Sequence, residues 1–142
     1  MRIRLLMLGK TRRPEVRAVV DDYVKRIGHR SPIAITEVRD ASAALRKLES
    51  DRTAAVVLLD AEGKSFTSEA FAKWLGEHRD RGTREVVFLC GDADGFPGEL
   101  RERAQHKLSL SAMTFSHELA RAMLAEQLYR AFAILSGSPY PK

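Results

Sequence analysis

Two short and almost uninterrupted apolar runs, Ala54 to Leu59 (A-A-V-V-L-L) and Glu85 to Cys90 (E-V-V-F-L-C), constrain the fold more than any other feature of this chain. Six residues are far too few to cross a bilayer, and the β-branched and aromatic content suits strands. Because neither run alternates with polar residues, each has to be covered on both faces, as in the interior of a parallel sheet. Parallel neighbours need helical crossovers, and the intervening sequence supplies them. Pro14 opens a helical pattern to about Ile27, with Val16, Val19, Val20, Tyr23, Val24 and Ile27 on one face. Ala41 to Glu49 carries Leu45 and Leu48, and Thr67 or Ser68 caps a pattern reaching about Arg79. Arg2 to Leu8, Ile33 to Val38 and Lys107 to Leu110 read as further strands. D-A-E-G-K-S-F after Leu59 reads as a polar loop and Pro97 as the start of a short helix. Ser116 caps the longest helix, which Gly137 can end. The expectation is a single α/β domain over residues 1–142, with a mainly parallel sheet and flanking helices.

At 142 residues the chain can bury a core without disulfide or metal staples, and its one cysteine cannot form an internal disulfide. A soluble cytoplasmic protein that does not span a membrane is therefore expected. The net charge of +5 is unevenly placed. Residues 1–30 hold nine cations and three anions, against fifteen and sixteen in the rest. Such one-sided charge suits a polyanion, although a solvated basic face with no partner reads the same way. No phosphate-cradling P-loop, no G-x-G-x-x-G after a strand and no nucleophile elbow occurs. Four histidines and one cysteine show no metal-ligand spacing, so no metal is expected.

In open α/β sheets ligands bind at the carboxyl ends of strands, which selects the loops after Leu59, Cys90 and Leu110. Gly91 and Gly95 either let the backbone approach a ligand or serve a tight turn. The L-S-L-S-A-M-T-F run, Leu108 to Phe115, either wraps a nucleoside ring or is a plain buried connection. His117 and Arg121 sit one turn apart at the start of the last helix, where a cation opposes the helix dipole, and this hints at a ligand role for Arg121. That helix is apolar nearly all round, which points to burial on both sides and to a subunit interface.

From Leu108 onward, L-S-L-S-A-M-T-F-S-H-E-L-A-R-A-M-L-A-E-Q-L-Y-R-A-F-A-I-L-S-G-S-P-Y-P-K resembles the signature of the ribosomal RNA large subunit methyltransferase H family. The opening I-R-L-L-M-L-G-K, the L-L-D-A-E-G-K-S-F-T-S-E-A-F-A stretch and V-V-F-L-C-G-D-A-D-G agree with it in order and spacing, so the likeness spans the chain. The resemblance implies a SPOUT-type fold with a C-terminal trefoil knot, a homodimer, and S-adenosylmethionine bound in the knot. The implied activity is methylation of N3 of a pseudouridine in 23S rRNA, whether free, in the large subunit or in the assembled ribosome. Carried over residue by residue, the cofactor contacts fall on Leu59, Gly91, Leu110, Ser111, Ala112, Met113, Thr114 and Phe115. The catalytic set falls on His117, Arg121, Tyr140 and Lys142. In it Arg121 stabilises the uracil ring as N3 loses its proton, and Tyr140 and Lys142 hold or stack the base. Lys10, Arg12 and Arg13 belong to the basic region that would grip RNA phosphates.

The chain departs from the family pattern at three places. It has Gly91-Asp92 where two glycines are usual and Pro141 where a histidine is usual, and the segment between the second and third strands is shorter. The first two departures keep open a ribosome- or RNA-binding module of the same fold without turnover. A SPOUT methyltransferase acting on another RNA is the other alternative.

Overall fold

The computed structural model describes residues 1–140. Strands β1 (Arg2–Leu8), β2 (Ile33–Val38), β3 (Ala55–Ser65), β4 (Glu85–Cys90) and β5 (His106–Ser109) pair in parallel in the order β2-β1-β4-β3-β5. Five helices join them: α1 (Pro14–Gly28), α2 (Ala41–Glu49), α3 (Ser68–Asp80), α4 (Gly98–Arg103) and α5 (His117–Leu135). The two-residue period of the strands divides the core. Ile3, Leu5, Met7, Val86, Phe88 and Cys90 face one side, where α1, α3 and α5 supply Val20, Phe71, Leu75, Leu124 and Leu128. Leu6, Leu8, Val87 and Leu89 face the other, covered by Ala44 and Leu48 of α2 and Leu100 of α4. Every residue of β4 is buried, which is why that segment carries no alternation in sequence.

The expected caps of α3 and α5 operate, and α2 has a further one at Asp40. Thr67 caps α3 by accepting from Ala70 N, Asp40 caps α2 from Ala43 N, and Ser116 caps α5 from Leu119 N. Helix α5 packs between α1 and α3, so most of its apolar circumference is satisfied within the chain. Leu124, Leu128 and Ala133 are fully enclosed, and only Leu119 and Met123 remain large and exposed on this helix.

Two expectations need correction. The last strand lies one residue earlier than its apolar pattern suggests, at His106–Ser109. More substantially, the polar segment after Leu59 is not a loop, because β3 runs on to Ser65. Leu59 and Lys64 both lie opposite Leu108, so residues 60–63 form an irregularity within the β3–β5 pairing. Polar side chains give no strand signal here because the pairing with β5 uses backbone groups and this end of β3 has no buried face. The sequence marker of the irregularity is Gly63. A Cβ on it would lie 2.7 Å from the Lys107 carbonyl carbon and oxygen and 2.9 Å from the Leu108 nitrogen, all of them backbone atoms.

Backbone cannot yield as a flexible side chain can, so Gly63→Ala is expected to lower stability by about 1–3 kcal/mol through overpacking. Urea unfolding midpoints of the two proteins check this. A midpoint at the wild-type value would mean that β5 can draw away from β3 without loss.

Candidate functional site

The irregular middle of β3 and the carboxyl ends of β4 and β5 converge on a cavity of about 280 Å³. From the three loops selected in sequence, Leu59, Gly91, Leu110, Ser111, Met113, Thr114 and Phe115 line it. Ala112 belongs to the same segment but is not part of the wall. His117 and Ala120 extend the wall into the first turn of α5, and Phe96 and Arg101 close it from the side of α4. Sequence reading misses Asp60, which immediately follows Leu59 and is within reach of the strand-end rule. It also misses Arg101, for which no local signal exists. Gly91 sits close under the Phe96 ring, and a Cβ on it would meet two ring carbons at 3.2 Å.

The wall is electrostatically mixed. Asp60 accepts from Arg101 Nη1 at 2.7 Å and from Glu62 N at 3.0 Å. The Glu62 N–H and then the Arg101 guanidinium hold its carboxyl below the ordinary value, so it stays ionised at neutral pH. Asp92 Oδ1 accepts from Asp94 N at 2.9 Å, so this departure from the family pattern also stabilises its own turn. Burial pushes the Cys90 thiol up to about 12, which keeps it protonated and unreactive.

The catalytic set implied by the resemblance is only partly brought together. His117 lines the cavity. Arg121 does not. It is completely buried and donates to the carbonyl of Leu8 at 2.6 Å, to the carbonyl of Gly9 at 3.2 Å and to Thr11 Oγ1 at 3.0 Å. The carbonyls at the end of β1 and Thr11 take up both terminal nitrogens of Arg121 while its buried Nε has no partner, so its contacts in this chain are with the fold and not with the cavity. Tyr140 is also away from the cavity of its own chain. Its hydroxyl bonds to Glu126 Oε2 at 2.8 Å and lies 3.3 Å from that of Tyr23, and its ring packs edge-on against Tyr129. Burial first, then these two contacts, raise its pKa. Lys142 and Pro141 lie outside the described residues. Among the described residues no group of His, Cys, Asp and Glu is arranged to hold a metal, and no helix is long and apolar enough to cross a membrane.

Lys10, Arg12 and Arg13 are exposed on the loop between β1 and α1. Arg13 pairs with Glu15, and elsewhere in the N-terminal region Arg2 and Arg4 pair with Glu85, Arg17 with Glu37 and Arg26 with Asp22. Glu118, in the first turn of α5, accepts from Arg12 N at 2.9 Å and from Arg13 N at 3.0 Å. The basic loop is thereby fastened beside His117 at the cavity, although more than a hundred residues separate the two in sequence.

A family model described as predicted SPOUT methyltransferase matches residues 1–141. The chain belongs to the SPOUT methyltransferase family. Relatives named Ribosomal RNA large subunit methyltransferase H, from Trichlorobacter lovleyi and Geotalea daltonii, are each 42% identical over 99% of this chain and 99% of their own length. One from Koribacter versatilis is 39% identical over 99% of this chain and 97% of its own. The fold is shared more widely. A probable methylase family protein from Haemophilus influenzae superposes with a TM-score of 0.61 at 10% identity, covering 99% of this chain and 70% of that one. The SpoU methyltransferase AviRb of Streptomyces viridochromogenes, solved in complex with AdoMet, gives 0.56 at 12% identity and covers 97% of this chain and 58% of that one. SPOUT architecture thus accounts for the strand order and for the clustering of the three loops.

The Arg12 and Arg13 N–H groups, in that order, hold the Glu118 carboxyl below its ordinary 4.5. A depressed folded value means stability that is full above about pH 5 and is lost as the pH falls through 4.5 towards the folded value. Glu118→Gln is expected to flatten this acid limb. Urea unfolding of both proteins between neutral and acidic pH measures the difference, and parallel curves would assign the acid sensitivity to other carboxylates.

Proposed function

We infer that this chain transfers a methyl group from S-adenosylmethionine to N3 of a pseudouridine in 23S ribosomal RNA, acting as a homodimer with a knotted C-terminal segment. The observation that carries this reading is the convergence of Leu59, Gly91 and residues 110–115 on one cavity, in a chain about 40% identical over its full length to rRNA methyltransferases. The donor set suits S-adenosylmethionine. Gly91 leaves a flat wall that a Cβ would crowd, the ionised Asp60 and nearby Asp92 complement a sulfonium cation, and the backbone of 110–115 offers hydrogen-bonding groups to a nucleoside ring. When bound, the cofactor supplies an already activated methyl group. The work left to the protein is to orient the base in line with that group and exclude water. Ser111 and His117 are wall residues whose side chains can bond to an incoming base.

Two observations support the dimer. Val19, Phe115, Leu119 and Met123 are each 41–46% exposed although large and apolar, and Met113 is 76% exposed, which is a surface that a second subunit would cover. Tyr140 docks on α1 and α5 away from its own cavity, so a role for the tail at the base requires the cavity of the other subunit.

The decisive measurement is mass spectrometry of 23S rRNA, presented as ribosomes that lack the modification, after incubation with the purified chain and S-adenosylmethionine. N3-methylpseudouridine should appear. Gly91→Val should abolish it and remove cofactor binding in calorimetry while circular dichroism stays at wild type. Absence of the methyl group with the wild-type chain, alongside intact cofactor binding, would overturn the assigned target. For assembly, sedimentation should give a dimer for the wild type and a folded monomer for Leu119→Glu/Met123→Glu, because carboxylates would have to be buried unpaired. A wild-type monomer would overturn the dimer.

A further inference from the structure

A second hollow lies apart from the cavity that Leu59, Gly91 and residues 110–115 line. About 390 Å³ opens beside the start of β5, between that edge strand and α3, and shares no wall residue with the methyl-donor cavity. Its apolar side is aromatic. Trp74, half-buried, stacks near-parallel on Phe71 with ring centres 6.0 Å apart, and Phe66 lies 6.3 Å away. Its polar side is cationic. Lys64 and Lys107 line it and are exposed, neither is in an ion pair among the described residues, and the Lys64 ammonium rests 4.9 Å from the centre of the Phe66 ring. His106 stands edge-on to Trp74 at 5.4 Å, and burial followed by the Arg81 charge keeps it neutral near pH 7. The carboxylate that acts on Lys107, Asp60, is already bonded to Arg101. Trp74 also meets His78 at 4.4 Å, and this aromatic wall beside two exposed lysines in no ion pair suits single-stranded nucleic acid, with a base on an aromatic ring and phosphate on the cations.

We propose that this hollow binds an unpaired nucleotide of the RNA substrate, the base against Trp74 and Phe66 and the neighbouring phosphates on Lys64 and Lys107. The proposal rests on the reading of the chain as an RNA-modifying enzyme and adds to it a second RNA contact. Because β5 runs from this hollow to Leu110 at the methyl-donor cavity, an RNA strand lying along that edge can engage both. Stacking on an aromatic face tolerates any base, so the hollow anchors a strand and leaves the choice of target to the cavity.

Trp74 is the only tryptophan of the chain, so its emission reports on this hollow alone. Titration of the full chain with oligouridylate should quench that emission saturably. Lys64→Glu/Lys107→Glu, both exposed positions, should weaken binding about tenfold or more, with a salt slope shallower by about 0.7 for each phosphate no longer neutralised. Calorimetry with S-adenosylmethionine should match the wild type. Unchanged emission, or equal affinity for the double variant, overturns the proposal. Uridine monophosphate binding as tightly as the oligomer would overturn an RNA strand as occupant, and polyglutamate quenching equally well would point to an acidic protein instead. Quenching that depends on the two lysines in a chain that never methylates rRNA would overturn the enzymatic reading and leave the hollow's role intact. Wild-type rRNA methylation by a double variant whose oligouridylate affinity is also unchanged would overturn the hollow and leave the enzyme.

Discussion

A single buried guanidinium sets the geometry on which both ends of the molecule depend. Arg121 has no exposed surface and takes up the carbonyls with which β1 ends, together with the hydroxyl of Thr11. One turn earlier, Glu118 accepts the N–H groups of Arg12 and Arg13. A charged side chain excluded from water is tolerated only when hydrogen-bonded, so these contacts fix the depth and rotation of α5 against the sheet. The segment from Leu110 to Phe115, which leads into that helix, is then held over the cavity, and the exposed cations of the β1–α1 loop are held at its side.

Much of this arrangement is legible in the order of the amino acids alone. The fully buried strands betray themselves by lacking alternation, the caps at Thr67 and Ser116 by their hydroxyls, and the segments that line the cavity by the strand-end rule. Seven of the eight residues expected to touch a cofactor do line one cavity. Failures occur where the deciding partner is remote in sequence. Nothing local distinguishes an arginine that faces a substrate from one that caps the end of a strand more than a hundred residues away, and Arg121 is the second kind. The extension of β3 to Ser65 escapes for a related reason, because a strand edge held by backbone pairing imposes no pattern on its side chains. The apolar circumference of α5 suggests burial on both sides with a subunit interface supplying part of the cover, whereas α1, α3 and the sheet cover most of it, leaving Leu119 and Met123.

The cation-rich N-terminus illustrates how far charge counting goes. Several of its arginines, Arg13 among them, are committed to carboxylates of the same chain, and the exposed cations in no ion pair among the described residues are divided between the β1–α1 loop, with Lys10 and Arg12, and α1 and its end, with Lys25 and Arg30. The total indicates the class of partner, and only the pairing indicates the place. At Asp60 and Asp92 the local structure likewise decides what the carboxylates offer, since one is held by Arg101 and the other by its own turn.

The strand order has a consequence for how the chain acquires its shape. The centre of the sheet is the pairing of β1 with β4, in which Arg2 lies opposite Glu85 and Met7 opposite Cys90. Neither strand can be completed by its neighbours in sequence, so positions 83 residues apart must meet before the core closes. Pairings this far apart along a chain are slow to form, which places the molecule among the leisurely folders of its size. During synthesis β1, emerging first, stays unpaired on one side until the codons for β4 have been read. The last helix is then the latch, since Arg121 seals the end of β1 only after all five strands exist.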